Sequence, residues 1–180
     1  MKAKELMAPV ITILAAAAVL LAVSAGLRPI AENQEAAAQK EIMGYMLPSR
    51  PASFTEEPYD GEDESIRRVF KAEDGYVVEV ETAGYAGPMI LWVGVTNEGT
   101  VSGVTVRDHR ETFGLGRGAQ TDASFLLQFL GTAGEAAVGE DIDALTGATV
   151  TSKAVTRAVN SAAAFVTGAD VSSGATEWEG

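Results

Sequence analysis

The stretch YVVEVETAGYAGPMILWVGVTNEGTVSGVTVR, residues 76–107, decides the fold of this chain. Its first part alternates apolar residues with glutamates, which is typical of a strand with one face in water, and its middle is almost continuously apolar, which indicates a strand covered on both faces. The turn sequences Asp74-Gly75 and Asn97-Glu98-Gly99 are too short to carry parallel crossovers. The sequence therefore predicts an antiparallel meander of four strands, Val69–Ala72, Tyr76–Thr82, Met89–Val95 and Val101–Arg107.

Two helices are predicted after these strands. In the range Asp122–Leu130, aromatic and leucine residues recur at one-turn spacing behind an N-cap at Thr121 or Asp122. In Ser152–Val166, apolar residues recur at i, i+3, i+4, i+7, i+10 and i+11, and Gly168 ends the pattern. The sequence thus predicts an α+β fold in which helices flank an antiparallel sheet.

The amino-terminal region is apolar enough to predict a membrane anchor. Leu6 to Leu27 contains 22 consecutive uncharged residues, which would span about 33 Å as a helix. Lys2 and Lys4 precede this run, so the positive-inside rule places the amino terminus in the cytoplasm and the rest of the chain outside. The alternative is a cleaved signal peptide, with Val23-Ser24-Ala25 as its cleavage site; the length of the run favours the uncleaved anchor.

Changes in residue composition along the chain set the expected domain boundaries. Residues 1–28 are predicted to be the cytoplasmic amino terminus and transmembrane helix, 29–65 a stalk helix and acidic linker, 66–168 the folded domain and 169–180 a flexible tail. Pro48 and Pro51 would end the stalk. The six acids between Glu56 and Glu64 are interpreted as a solvated loop, because they lack the ligand spacing and central glycine of an EF-hand.

The overall composition excludes several functional classes. The chain has 13 Lys plus Arg against 25 Asp plus Glu, a net charge of -12, no cysteine and a single histidine, His109. Without cysteine there is no disulfide, thiolate metal site or iron–sulfur cluster, and one histidine argues against a multi-histidine zinc or haem site. The acidic balance argues against a nucleic-acid partner, since phosphate neutralisation needs a basic face.

A first candidate binding segment, DHRETFGLG at residues 108–116, follows the fourth strand. Gly114 and Gly116 flank Leu115, an arrangement that lets backbone amides approach a flat or charged ligand closely. Glu111 and Thr112 add an acceptor and a hydroxyl. The alternative is a plain glycine turn between a strand and a helix, which the segment by itself leaves open.

A second candidate segment, DALTGATVTSK at residues 143–153, lies directly before the strongest helix. Gly147 and Ala148 open space beside the helix start, whose amides and dipole attract anions, so a phosphate is the expected ligand. The spacing of a Walker A loop is absent. The alternative is a Thr or Ser cap of a helix that follows a glycine turn, and we expect such capping in either case. The candidate polar ligands are Thr146, Thr149, Thr151, Ser152 and Lys153.

Together the two segments resemble the FMN-binding domain found in the G subunit of Rnf electron-transport complexes and the C subunit of sodium-pumping NADH:quinone oxidoreductases. LTGATVTSKAV, preceded by Asp143, is similar to the family's flavinylation motif, an acidic residue followed by [ST]GAT and a further Ser or Thr. Residues 84–116 resemble its strand pair and ETPGLG loop, with Phe113 where the family usually has Pro. The order and separation of the motifs match, and the short chain favours the Rnf G subunit.

The resemblance implies a cofactor and its contacts. FMN would be joined by a phosphoester to Thr149, with the phosphate near Ser152 and Lys153. Thr112 and Leu115 would lie against the flavin ring, and Glu111 would hold the loop by hydrogen bonds to backbone amides. Neither a metal nor a catalytic side chain is expected. The other expected cofactor-binding residues are Thr146, Gly147, Ala148, Thr151, Gly114 and Gly116.

The resemblance also implies a function, that of a membrane-anchored electron carrier and not of a complete enzyme. Electrons between ferredoxin and NAD would pass through the flavin, coupled to Na+ or H+ translocation, with the FMN domain outside the plasma membrane. The expected partners are the other Rnf subunits, a flavin transferase and membrane lipid. Three alternatives stay open: a secreted standalone FMN domain, the C subunit of a quinone reductase, and a non-flavinylated interaction module.

Overall fold

The computed structural model describes residues 3–111 and 116–169, with side chains described over 13–24, 33–111 and 116–169. The chain divides into two units, Met1–Lys40 and Glu41–Gly180. The described residues form four helices and five strands, in the order α1 (Ala3–Tyr45), β1 (Thr55–Glu57), β2 (Ile66–Lys71), β3 (Gly75–Ala83), β4 (Pro88–Thr96), β5 (Val101–His109), α2 (Gly118–Thr121), α3 (Ala123–Leu127) and α4 (Thr149–Thr167).

The first unit consists of α1 residues, and its described apolar side chains, such as those of Ile13 and Leu20, are exposed. Within the part of the chain that the structure describes, no helix combines the length and the apolar character that a bilayer crossing requires. The membrane-spanning segment from Leu6 to Leu27 therefore stays a prediction.

The sheet of the second unit is antiparallel throughout, with its strands in the order β1-β2-β3-β4-β5. The predicted meander is confirmed as β2 to β5, and β1 is an additional edge strand inside the expected acidic linker. This strand has no apolar periodicity that would predict it. It is held by pairing with β2 and by Arg68, whose guanidinium donates to both Glu56 carboxylate oxygens at 2.8 and 2.9 Å.

One face of the sheet is covered by α4, as the apolar periodicity predicts. The buried face of α4 is largely alanine, with Val155 and Val159 fully buried among Ala154, Ala158 and Ala162. Small side chains let the helix approach the sheet closely, where it packs mainly on β3 and β4. Gly168 ends the helix in a left-handed conformation at φ 69°.

The opposite face of the sheet is covered at one end by the last turn of α1 and the residues after it. Met43, Met46 and Leu47 are buried there against the fully buried Val77 and Trp92. This corrects the expectation of one wet face on β3: Val77 is covered, whereas Glu79 and Glu81 on the same face are half-buried. The local sequence does not show this contact because the covering residues precede β3 by 30 positions or so.

The helix that follows the sheet is shorter than predicted. Instead of reaching Leu130, α3 ends at Leu127, and turns lead to Gly131, which has a φ of 87°. Its predicted cap is confirmed, because the Asp122 carboxylate accepts the backbone N–H groups of Ser124 and Phe125. The hydrogen bond from the Ser124 side chain and these amides lower the pKa of Asp122.

A pair of glycines makes room for the chain after α1. Gly94 and Gly103 are cross-strand partners, and a Cβ at Gly94 would meet the carbonyl oxygen of Met46 and come within 2.9 Å of its Cβ. A Cβ at Gly103 would lie 2.9 Å from the Met46 Cα. Backbone atoms cannot move aside without disturbing the second core cluster, so both positions need glycine for a close approach.

We therefore expect Gly94→Ala to destabilise the folded domain by about 1–3 kcal/mol through overpacking. Thermal unfolding of the purified chain measures this loss. Gly118→Ala is the matched control, since its Cβ would meet Leu145 only at an ordinary 3.4 Å. Equal unfolding temperatures for the two variants would contradict the close approach.

Candidate functional site

The two candidate segments meet at a cavity of about 400 Å³ beside the amino terminus of α4. The cavity lies within the second unit and is open enough to expose the side chains of Thr149 and Tyr85. Its volume falls in the range of small-molecule sites. It is lined by Tyr85, Glu111, Gly116, Gly147, Ala148, Thr149, Val150 and Thr151.

Glu111 is the buried carboxylate of this site, with 8% of its surface exposed. Its Oε2 accepts a hydrogen bond from the Thr151 hydroxyl at 2.8 Å, and its Oε1 accepts the backbone N–H of Ala86 at 3.0 Å. A single side chain thereby connects the end of β5, the first turn of α4 and the hairpin between β3 and β4. Charge-assisted hydrogen bonds of this kind are the strong ones, and they offset the cost of burying the carboxylate.

Glycines on both sides make space for that carboxylate. A Cβ at Gly116 would collide with Glu111 Oε2 and lie 2.7 Å from the Thr151 hydroxyl oxygen. A Cβ at Gly84 would collide with Glu111 Oε1. The Glu111 side chain therefore requires a glycine at position 116 of the same segment, independently of any ligand.

The turn before α4 presents Thr149 to solvent. Gly147 adopts a left-handed φ of 73°, which a side chain would strain. The fully buried Ser152 closes the turn, because its hydroxyl donates to the Ala148 carbonyl at 3.0 Å and accepts the Leu145 N–H at 3.0 Å. Thr149 follows as the first residue of the helix, with its side chain exposed.

The expectation that Thr or Ser caps α4 is wrong. The N-cap is Ala148, and no side chain caps the helix. The physical reason is that the nearby hydroxyls have other partners: Ser152 closes the preceding turn and Thr151 donates to Glu111. The helix terminus that borders the cavity thus keeps amides available for an acceptor, and its dipole favours a negative group there.

The predicted site residues divide into three groups. Those that line the cavity are Glu111, Gly116, Gly147, Ala148, Thr149 and Thr151. Thr146 and Lys153 are exposed outside this lining, and Ser152 is buried in the turn. Thr112, Gly114 and Leu115 lie outside the described residues.

Two lining residues, Tyr85 and Val150, were not predicted from the sequence. Tyr85 is 73% exposed on the hairpin between β3 and β4, which is unusual for a large aromatic side chain. The available signal was an aromatic residue in a glycine-rich turn, between Gly84 and Gly87, but only the folded sheet brings this turn to α4. Among the described residues, no group of three or more His, Asp or Glu side chains is arranged to hold a metal ion.

Loss of the Glu111–Thr151 hydrogen bond should destabilise the domain. In a double-mutant cycle of Glu111→Ala and Thr151→Val followed by urea unfolding, we expect a coupling free energy of about 1–2 kcal/mol, because the two side chains contact each other directly. Thr151→Val is close to isosteric and removes only the hydroxyl. Additive effects of the two substitutions would contradict a direct bond.

A family of known proteins and several individual relatives match this chain. Residues 84–164 match the FMN-binding domain family. The chain is 33% identical over 172 residues to the G subunit of the ion-translocating oxidoreductase complex of Methanosarcina acetivorans, covering 87% of this chain and 90% of that protein. It is 42% identical over 99 residues to the G subunit of the proton-translocating ferredoxin:NAD(+) oxidoreductase complex of Clostridium ljungdahlii, covering 51% of this chain. That match spans about half, 53%, of the clostridial protein.

A solved structure has the same fold. The crystal structure of the C subunit of Na(+)-translocating NADH-quinone reductase from Parabacteroides distasonis superimposes with a TM-score of 0.54, covering 80% of this chain and 98% of that chain at 18% identity. Strands β4 and β5, both candidate segments and most of α4 fall within the residues that match the FMN-binding domain, and β3 ends directly before them. The chain belongs to the family of G subunits of ion-translocating oxidoreductase complexes, and it carries that family's FMN-binding domain.

Proposed function

We propose that this chain is the electron-carrier subunit of an Rnf-type ferredoxin:NAD oxidoreductase complex and that it carries FMN esterified through its phosphate to Thr149. The observation that carries the proposal is the exposed Thr149 hydroxyl at the uncapped start of α4, on the border of a cavity of about 400 Å³. Bound FMN supplies reversible electron transfer.

The cavity fits a phosphate group joined to Thr149. A phosphodiester keeps one negative charge, and the amino terminus of α4 stabilises such a charge by roughly 0.3–1 kcal/mol or more when it is partly buried. Gly147 leaves the approach to Thr149 free of a side chain. Thr149 therefore suits the attachment better than Thr146, which lies in the preceding turn and outside the cavity lining.

The other end of the cavity suits the flat ring of the flavin. Tyr85 offers an aromatic face that is already exposed, and the site is open to the surface, as a carrier that exchanges electrons with partner proteins requires. Both Glu111 oxygens already accept hydrogen bonds within the fold, from the Ala86 N–H and the Thr151 hydroxyl. We therefore assign Glu111 to holding the site together and Tyr85 to contacting the ring.

The remaining functional assignments follow from the family. We propose that the chain is anchored by the segment Leu6 to Leu27 with the FMN domain on the extracytoplasmic side, that a flavin transferase attaches the cofactor, and that the partners are the other subunits of the complex. Coupling to Na+ or H+ translocation would belong to that assembly. The main alternatives are a secreted FMN domain that has lost its first residues and an interaction module without flavin.

Intact-mass spectrometry tests the attachment. Chain produced together with a flavin transferase should gain the mass of FMN less one water, Thr149→Ala should show no gain, and Thr146→Ala should keep it. Both substitutions remove an exposed threonine hydroxyl within one turn, so they are matched. A Thr149→Ala protein that stays covalently yellow after denaturation contradicts the assignment, and wild type without the added mass favours the non-flavinylated module.

The anchor is tested separately by amino-terminal sequencing of the mature protein from membranes. We expect the first residues to be retained, because the uncharged run of 22 residues exceeds the apolar region of ordinary signal peptides, about 7–15 residues. A sequence that begins at Gly26 would support the secreted form.

A further inference from the structure

The single histidine of this protein, His109, takes part in a series of hydrogen bonds that ends at the cavity. The Nδ1 of His109, at the end of β5, accepts the backbone N–H of Glu111 at 3.1 Å. Its Nε2 lies 3.1 Å from Oε1 of Gln120 in α2. The Gln120 amide nitrogen in turn donates to the Val106 carbonyl at 3.3 Å. Glu111 then continues the chain to Thr151 through its carboxylate.

These contacts are consistent with one protonation state of the ring. A backbone N–H can only donate, so Nδ1 must be an acceptor, which leaves the single ring proton of neutral imidazole on Nε2. Gln120 must then present its carbonyl oxygen to Nε2, and its NH2 group is free to donate to Val106, as observed. Every donor in the chain meets an acceptor when His109 is neutral.

We propose that His109 is a positioning residue of the FMN site: its neutral Nδ1 holds the Glu111 backbone, and through it the carboxylate contacts to Thr151 and Ala86, so that protonation of the ring loosens the cavity. When both ring nitrogens carry protons, Nδ1–H faces the Glu111 N–H and two donors oppose each other. One of the groups must then move. The relevance for the cofactor rests on the function proposed above, whereas the link from His109 to Glu111 does not.

Among the described residues, those that face His109 from β4 and α2 carry no charge. Opposite it, β4 presents Met89, and α2 presents Gln120, and neither residue ionises. A histidine ordinarily titrates between about pH 5 and 8, where carboxylates and guanidinium groups keep their charges. The charged residues next to it along the chain and before α2 are Asp108, Arg110, Glu111 and Arg117.

A movement of the Glu111 backbone would be transmitted to Thr151 and Ala86, because the Glu111 carboxylate has little room to move. The carboxylate lies between Gly84 and Gly116, where even a methyl group would collide with its oxygens. A displacement of the Glu111 backbone therefore has to shift or break the bonds to Thr151 and Ala86. Thr151 belongs to the first turn of α4, two residues after Thr149.

The test is an NMR pH titration of the purified, ¹⁵N-labelled full chain, without flavin. Because His109 is the only histidine, its ring resonances report one titration without ambiguity. We expect the backbone amides of Glu111 and Ala86 to shift with the same midpoint as the ring. Protection of the Ala86 amide from hydrogen exchange, corrected for intrinsic rates, should fall about fivefold on the acid side. A Glu111 amide that does not move while the ring titrates overturns the proposal.

Two substitutions separate positioning from general structural support. His109→Asn keeps an acceptor, Oδ1, at the place of Nδ1, so both amides should hold their neutral-pH positions across the whole range. His109→Leu removes the acceptor, so the amides should stay displaced at every pH. In Asp108→Asn, which changes an exposed neighbour that makes none of these hydrogen bonds, the amide shifts should still follow the titration of the ring. An Asn variant that behaves like the Leu variant contradicts the role of Nδ1.

Flavinylated protein provides the second readout. Its flavin midpoint potential, plotted against pH, should show a change of slope at the midpoint of the His109 titration, and this change should be absent in His109→Asn. If the slope change persists in that variant, the link to the cofactor is wrong even when the amide shifts are as expected. If no flavin is attached, the proposed function fails, and the amide titration still decides whether His109 holds Glu111.

Discussion

The rest of the site depends on the hydrogen bonds of the Glu111 carboxylate. This carboxylate is nearly buried, and an ionised group in that position is tolerated only with strong hydrogen-bond partners. Its partners come from two distant parts of the chain, the hairpin at Ala86 and the first turn of α4 at Thr151. Because Gly84 and Gly116 close around it, the carboxylate both attaches these segments and fixes their separation.

The sheet and α4 make this attachment rigid. The alanine-rich face of α4 lies close to β3 and β4, and Arg157 donates to the carbonyl of Ala83, at the end of β3, at 3.2 Å. Further along the helix, the buried Asn160 exchanges two hydrogen bonds with the backbone of Ala136, which secures the long connection before α4. These contacts hold the start of α4 beside the β3–β4 hairpin, so the cavity between them has a defined width.

The same arrangement leaves the amino terminus of α4 open to an anionic group. An ordinary helix of this length is capped by a Ser, Thr or Asp side chain, which takes up amides of the first turn. Here the hydroxyl of Thr151 is directed to Glu111 and that of Ser152 to the turn at Ala148, and the N-cap is an alanine. The fold thereby keeps the terminus available at the point where the Thr149 hydroxyl is exposed.

The sequence by itself determined the four-stranded meander, the helix Ser152–Val166 with its end at Gly168, and the two segments of the site, because these follow from local periodicity, short turns and motifs that each lie within one stretch of chain. Only the tertiary structure decided the strand β1, the cover of Val77 by Met46, the uncapped start of α4, the position of Tyr85 at the cavity and the hydrogen bonds of Glu111. Each of these depends on residues that are far apart in sequence, such as Glu111 and Thr151, 40 positions apart. A hydroxyl can cap its own helix or donate to a carboxylate, and the outcome depends on which acceptor the packed sheet brings within hydrogen-bond distance. The local sequence does not contain that information.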